Sequence, residues 1–366
     1  MEQTLLSHLS SLNLINDVDR KKEVFKKILI NCLGATKKEN ILLITDNGYE
    51  NQQIAPMLSS GYAIAAKELN LNLKVVIQEP LKLGEKASDE ASRNMKELRE
   101  ESIIIVCVSG KVGTTKYIGK SFRKFAKENM HRYISTTGMR DLRTEDFNRF
   151  VESLDIDYDK MKERCALIKD ELIKADEIRV TTDRGTDLTL KIKKSTIHIN
   201  DGNYTESGTG GNMPCGEVYL APLKKQAEGR AVIDLSSKNI HGTTLLTEPI
   251  ELIVEGGEVV RIIGGNSGAE KLRETIEWAE INSKYPWGIR RLAELGIGTN
   301  PKAQVSGNMI IDEKILGSAH VAIGSNAWFG GSVYAKIHVD QVMKEPQFYL
   351  DGKEFNINRI FERTKE

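Results

Sequence analysis

Late in the chain stands Ile337-His338-Val339-Asp340. In an extended strand, residues i and i+2 point the same way, so the imidazole of His338 and the carboxylate of Asp340 are expected to project together. That pair is half of a metal site, although a surface histidine near an aspartate has the same spelling. His320 lies 18 positions earlier, in Ser318-Ala319-His320-Val321-Ala322-Ile323-Gly324. A histidine in so apolar a run is ordinarily a satisfied core residue. The 18-residue distance nevertheless fits neighbouring strands joined by a loop, and two histidines with one carboxylate make the ligand set of non-haem iron(II) enzymes. Two glutamates sit among apolar and glycine residues. Glu217 follows Pro214-Cys215-Gly216, and Glu294 falls within Arg291-Leu292-Ala293-Glu294-Leu295-Gly296. An unpaired carboxylate is costly to bury in such a place. A strand-edge position, or pairing with Arg290 or Arg291, is the plainer account of each.

Taken in order, Asn212-Met213-Pro214-Cys215-Gly216-Glu217-Val218, Ala293-Glu294-Leu295-Gly296-Ile297-Gly298-Thr299-Asn300-Pro301, Asp312-Glu313-Lys314-Ile315-Leu316-Gly317-Ser318-Ala319-His320 and the His338–Asp340 pair resemble the thermophilic-type metallo-aminopeptidases, the aminopeptidase T and aminopeptidase S group. The similarity spans roughly residues 205–353, and the first half agrees only in length and βα rhythm. The resemblance implies that Glu217, Glu294, His320, His338 and Asp340 ligate metal. It also implies a small peptide or amino-acid-derived substrate and a homodimer. Three of these side chains are carboxylates, carrying −3, so two divalent ions (zinc, cobalt or manganese) at +4 and one bridging hydroxide would balance them. Such a pair activates water and polarises a carbonyl, as peptide hydrolysis requires. The expected activity is therefore metal-dependent hydrolysis of an N-terminal amino acid or small amide, with Glu217 among the catalytic groups.

Two departures stand against this pattern. The family places a catalytic tyrosine seven residues after the ligand histidine, and here that position is Ala327. Tyr334, or alternatively Tyr219, is the candidate to supply the phenol. The interval from His320 to His338 is also short for these peptidases. The 2,5-dihydroxypyridine dioxygenases, which belong to the same superfamily, offer the alternative. There one Fe(II) would be held by His338, Asp340 and His320, with Glu217 and Glu294 as neighbouring bases. A non-catalytic metal- or peptide-binding homologue is the third reading.

The elements that must position these residues change in texture along the chain. Strand-like runs at Ile41–Thr45, Leu73–Gln78, Ile103–Ser109 and Arg132–Thr136 alternate with helical patterns at Val24–Leu33, Gln53–Leu69 (with Asn51 as a cap), Glu90–Glu101, Lys116–Asn129 and Asp159–Ala175. This rhythm predicts a parallel sheet with helices on both faces. Glu177–Thr182 and Asp187–Ile192 read as a hairpin about Asp183-Arg184-Gly185-Thr186, after which glycine is frequent, short strands dominate and Ala269–Ile281 is the clear helix. The expected fold is thus α/β plus α+β, with an N-terminal βα-alternating domain over residues 1–176 and a β-rich metal-binding domain over 177–366.

Composition narrows the class. The 366 residues carry 52 basic and 52 acidic side chains and only 6% aromatics, which argues against a broadly basic or base-stacking nucleic-acid surface. Cys32, Cys107, Cys165 and Cys215 form no CxxC pair. The longest apolar run, Ile103–Val108, is far below the ~20 residues of a membrane span, and the N-terminus lacks a basic segment followed by an apolar one, so a cytoplasmic location is expected. Gly113 and Gly119-Lys120-Ser121 miss the phosphate-loop spacing by one residue, leaving a strand-to-helix turn as the better account. Cys215 reads as a small buried residue rather than a reactive thiol, Trp328 and Phe329 as core or a substrate wall, and His131 and His241 as structural. Tyr204, Tyr285 and Trp287 stay undecided.

Overall fold

The computed structural model describes residues 2–82, 84–117, 122–284 and 286–365. Gly119, Lys120 and Ser121 of the near-miss phosphate loop, and Tyr285, lie outside them. The chain divides into two compact units: Met1–Tyr158 with Gly202–Cys215, and Asp159–Asp201 with Gly216–Glu366.

The first unit is built on a five-stranded parallel sheet. Across it the strands run Asn72–Gln78, Asn40–Asp46, Ile103–Cys107, Arg132–Thr136 and Gly210–Asn212. Every residue of Ile103–Cys107 is buried, the expected state of a central parallel strand covered on both faces. Its side chains join Leu42, Ile44, Val76, Ala91 and Met95 in the core. Each Leu, Ile, Val or Met side chain among them contributes roughly 1.5–3 kcal/mol on burial.

Most predicted helices are present, with shifted ends. Asp89–Glu97 starts where Ser88 Oγ accepts the Ala91 amide at 3.1 Å. Ile54–Glu68 is not capped by Asn51. Asn51 adopts a left-handed φ of 65°, and the first helical turn follows Gln53, whose backbone N–H donates to Thr144 Oγ1 at 3.1 Å. Sequence periodicity could not anticipate a cap-site partner 91 residues away. The helix expected over 24–33 ends at Lys27 and continues as a π-helical turn, Ile28–Cys32. Two short helices precede it, Glu2–Ser11 and Ile15–Arg20, which the apolar pattern did not reveal. Of the helix expected over 116–129, Phe122–Glu128 is helical, while Lys116, Tyr117 and Asn129 lie in turns.

The second unit holds two seven-stranded sheets. One contains the expected hairpin, Glu177–Thr181 against Asp187–Lys191, with Thr181 opposite Asp187. The helix Ser267–Ile281 is capped by Asn266, whose side chain accepts the Ala269 amide at 2.9 Å. The other sheet runs, in order, Gly242–Leu245, Ser236–Asn239, His338–Lys344, Ser318–Gly324, Leu292–Gly298, Glu217–Leu220 and Ile197–Asn200. Its neighbours pair antiparallel. This second sheet carries all five expected ligands. No helix among the described residues is long and apolar enough to cross a membrane.

Candidate metal centre

Directly opposed residues of antiparallel strands share a face, so the register identifies what meets on this sheet. His320 faces Val342 on one side and Gly296 on the other, and Gly296 in turn faces Tyr219. Ala322 stands between Asp340 and Glu294, Gly324 opposes His338, and Glu217 lies between Gly298 and Asn200. The chemistry-bearing residues are therefore interleaved with glycine and alanine on a single face, which leaves room above the backbone for their side chains to converge. A bulge between Leu292 and Glu294 re-aims the glutamate, a common device beside active sites.

The convergence is close. Ligand atoms of Glu217, Glu294 and His320 all lie within 4.8 Å of one another. His320 Nε2 is 3.3 Å from Glu294 Oε1 and 3.9 Å from Glu217 Oε2. His338 Nε2 is 3.5 Å from Glu294 Oε2 and 3.1 Å from Asp340 Oδ1. The cluster is closed at one end and open at the other: the His320 side chain is 1% exposed and that of His338 is 21% exposed. Arg290 and Arg291 are not the partners of Glu294. They pair with Glu280 at 2.7 Å and Glu258 at 3.1 Å.

Surrounding groups fix the orientation of these side chains. The Ser325 carbonyl lies 2.7 Å from His338 Nδ1, so that nitrogen carries the proton and Nε2 faces the carboxylates. Asn200 Nδ2 donates to Glu217 Oε1 at 3.1 Å, and Lys314 Nζ lies 3.2 Å from the same oxygen. Lys314 is fully buried and also bonds Glu313. A buried ammonium persists only when paired, and here two carboxylates hold it.

The electrostatics are those of crowded acids. Burial alone would lower the imidazole pKa of His320, but Glu294, Asp340 and Glu313 outweigh it and hold the group at about 9. Burial is likewise outweighed at His338, by Asp340, Glu294 and the Ser325 carbonyl, giving about 10. Burial raises Glu294 above the usual carboxylate range, against the pull of both histidines. Burial also opposes ionisation of Glu217 and Asp340, yet Lys314 and His320 at the first and His338 at the second hold both below their ordinary values. Burial pushes Glu313 up to about 7 despite Lys314.

This donor set fits a divalent cation. Two imidazoles and three carboxylates face one space, and Glu294 Oε2, although buried, accepts no hydrogen bond. An oxygen left this way costs ~1–3 kcal/mol, which a bound cation would offset.

Beside His338 stands an aromatic wall. Tyr219 stacks on His198 with ring centroids 5.2 Å apart, and Phe329 meets both edge-on at 5.5 and 5.8 Å. Trp328 packs on Phe329 at 4.5 Å and lies 5.5 Å from His338 while remaining 42% exposed. Asn326 braces the turn that carries Trp328, with Nδ2 donating to the Ala293 carbonyl at 3.0 Å and Oδ1 accepting the Val333 amide at 2.8 Å.

Among the remaining expected residues, Tyr334 is 72% exposed, and no hydrogen bond or ring contact joins it to the cluster among the described residues. Tyr219 shares the cluster's face of the sheet. Cys215 and Tyr204 are buried in the first unit, as is His131. His241 pairs with Glu274 at 3.2 Å, and Trp287 lies under Lys224 Nζ at 4.3 Å. Sequence reasoning missed His198, Asn200, Lys314 and Ser325. Only Lys314 left a signal, as a charge inside Asp312-Glu313-Lys314-Ile315-Leu316 immediately before an apolar strand.

Comparison with known proteins shows the family and the fold. The family model described as NicX, 2,5-dihydroxypyridine 5,6-dioxygenase, matches residues 21–358, and the chain belongs to that family. A stretch of 191 residues is 28% identical to aminopeptidase AmpS of Bacillus subtilis (strain 168), covering 48% of this chain and 43% of that protein, so the match spans less than half of the relative's length. Among solved structures, 2,5-dihydroxypyridine dioxygenase from Pseudomonas putida KT2440 superposes with a TM-score of 0.71 at 17% identity, over 92% of this chain and 95% of the other. Wild-type AmpT from Thermus thermophilus gives 0.62 at 15% identity, over 92% and 96%. The fold is thus shared by a dioxygenase and an AmpT protein, and the chain lies within the superfamily that its sequence resembles.

Proposed function

We propose that this chain is a metal-dependent hydrolase that releases an N-terminal amino acid or splits a small amide. The observation that carries this reading is the position of Glu294, whose two carboxylate oxygens face different imidazoles, Oε1 toward His320 and Oε2 toward His338. A carboxylate placed this way suits two neighbouring cations. Glu217 and His320 would hold one, and His338 and Asp340 the other, with zinc, cobalt or manganese as the ions. The charges agree. The carboxylates of Glu217, Glu294 and Asp340 carry −3, which two divalent ions and one hydroxide balance. When bound, such a pair supplies a water of lowered pKa and polarises the scissile carbonyl.

The protein's own groups do the positioning. Asn200 and Lys314 engage Glu217 Oε1 and leave Oε2 for the cluster. Ser325 sets the tautomer of His338. Substrate enters at the open His338 edge, where Trp328 provides an apolar flank. A carboxylate adjacent to the ligands handles the proton. The phenol absent at Ala327 falls to Tyr219, which shares the face of the sheet with the ligands, rather than to Tyr334, which is 72% exposed.

A second reading is supported by the family model and by the aromatic wall. One Fe(II) held by His320, His338 and Asp340 would serve oxygen-dependent opening of a hydroxylated aromatic ring, with Glu217 and Glu294 as bases. Elemental analysis of the purified protein, run beside an aminoacyl-p-nitroanilide panel and oxygen uptake with 2,5-dihydroxypyridine, decides between the two. Two zinc, cobalt or manganese ions per chain with amine release supports the hydrolase. One iron per chain with oxygen uptake sinks it in favour of the oxygenase.

A further inference from the structure

We infer that Lys314 makes the two halves of the centre unequal, so that metal fills the His338–Asp340 half tightly and the Glu217–His320 half weakly. This rests on the two-ion capacity proposed above. The Lys314 ammonium is fully buried and lies 3.2 Å from Glu217 Oε1, inside the ligand cluster. Any cation held by Glu217 and His320 must share that carboxylate with a fixed positive charge, in surroundings where water screens little. Glu217 is also restricted as a ligand. Asn200 Nδ2 and Lys314 Nζ both engage Oε1, so Oε2 alone is available.

Among the described residues the other half has no cation in contact: the Lys314 charge reaches Asp340 only beyond ion-pair distance, whereas it touches Glu217. His338 presents Nε2 with its tautomer set by the Ser325 carbonyl, Asp340 Oδ1 lies 3.1 Å away, and Glu294 Oε2 accepts no hydrogen bond. Neither Asp340 nor Glu294 forms an ion pair with lysine or arginine among the described residues. This half lies at the exposed end of the cluster, where an incoming ion arrives first. Lys314 is therefore a positioning residue that sets metal stoichiometry.

Equilibrium titration of the full-length apo-protein with Co²⁺, followed by dialysis stoichiometry and visible absorption, tests the assignment. Wild type is expected to bind one ion tightly and a second at least tenfold more weakly. Lys314→Met should tighten the weak step at least tenfold and leave the tight step unchanged, and Lys314→Arg should behave as wild type. Because Lys314→Met removes a buried pair and could misfold, Glu217→Gln provides an independent check: it should abolish the weak step alone, whereas Asp340→Asn abolishes the tight one. Two equal steps in wild type, a weak step untouched or weakened in folded Lys314→Met, or loss of the tight step in Glu217→Gln each overturns the inference. A single ion in wild type becoming two in Lys314→Met upholds the role of Lys314 while defeating the two-metal hydrolase. No Co²⁺ bound by wild type defeats both.

Discussion

Gly296 lies directly across the sheet from His320, and the imidazole occupies the space a side chain at Gly296 would fill. A Cβ built there would fall 2.2 Å from His320 Cε1 and 2.3 Å from Nε2. The ring therefore lies over its neighbouring strand and reaches toward Glu217 and Glu294. Gly296→Ala should displace the ring, lower metal content measured by elemental analysis, and destabilise the fold by ~1–3 kcal/mol through overpacking. Unchanged metal content in a folded variant would show that His320 does not need this space.

His338 and Asp340 are expected to be indispensable for metal. Alanine at both positions should remove bound metal from the tight half and relieve crowding at Glu294, while the fold, followed by circular dichroism, persists. Retention of full metal content by the double variant would mean that the ligands have been misassigned.

Trp328 flanks His338 and packs on Phe329. Trp328→Ala should raise KM for substrates with a bulky apolar or aromatic group about tenfold, roughly 1.4 kcal/mol, with metal content unchanged. A fall in kcat at constant KM would instead place Trp328 in the chemical step.

Asn326 is buried and ties the Trp328 turn to Ala293 in its strand and to Val333 in the loop that follows. Asn326→Ala leaves the Ala293 carbonyl and the Val333 amide without these partners, at ~1–3 kcal/mol for each group left unsatisfied. Urea unfolding should show this loss, and Trp328 emission should shift to the red as the turn loosens. An unaltered unfolding midpoint would remove the bracing role.

His131 supplies a pH test remote from the ligands in sequence. Burial lowers its imidazole pKa below 6.5, a hydrogen bond with the Ser102 backbone only partly opposing this, and Nδ1 has no partner. Because the folded value is depressed, the unfolded chain binds the proton first on acidification. The neutral imidazole's contribution is fully present above pH 6.5 and is lost as pH falls through the folded value. His131→Gln should flatten the unfolding midpoint over that interval, and identical slopes in wild type and variant would exclude the effect.

Much of the centre was legible without coordinates because its spacing is local. A period of two along one strand suffices to place His338 and Asp340 on one face, and glycines beside Glu294 and His320 announce room for side chains. The parallel sheet was legible for a similar reason: a fully apolar run such as Ile103–Val108 has few alternatives once helical patterns alternate with it. What tertiary structure alone decided are relationships across long sequence separations. Glu294 reaches both imidazoles because the register sets it across Ala322 from Asp340, and no periodicity encodes that pairing. Lys314 reads in sequence as one more charge in a balanced total of 52 and 52, yet in the fold it is a buried cation locked to Glu217, 97 positions away. Asn200, Ser325 and His198 carry no local signature either. Hydrogen bonds and ring contacts depend on distance in space, and only the folded sheet brings these partners within reach.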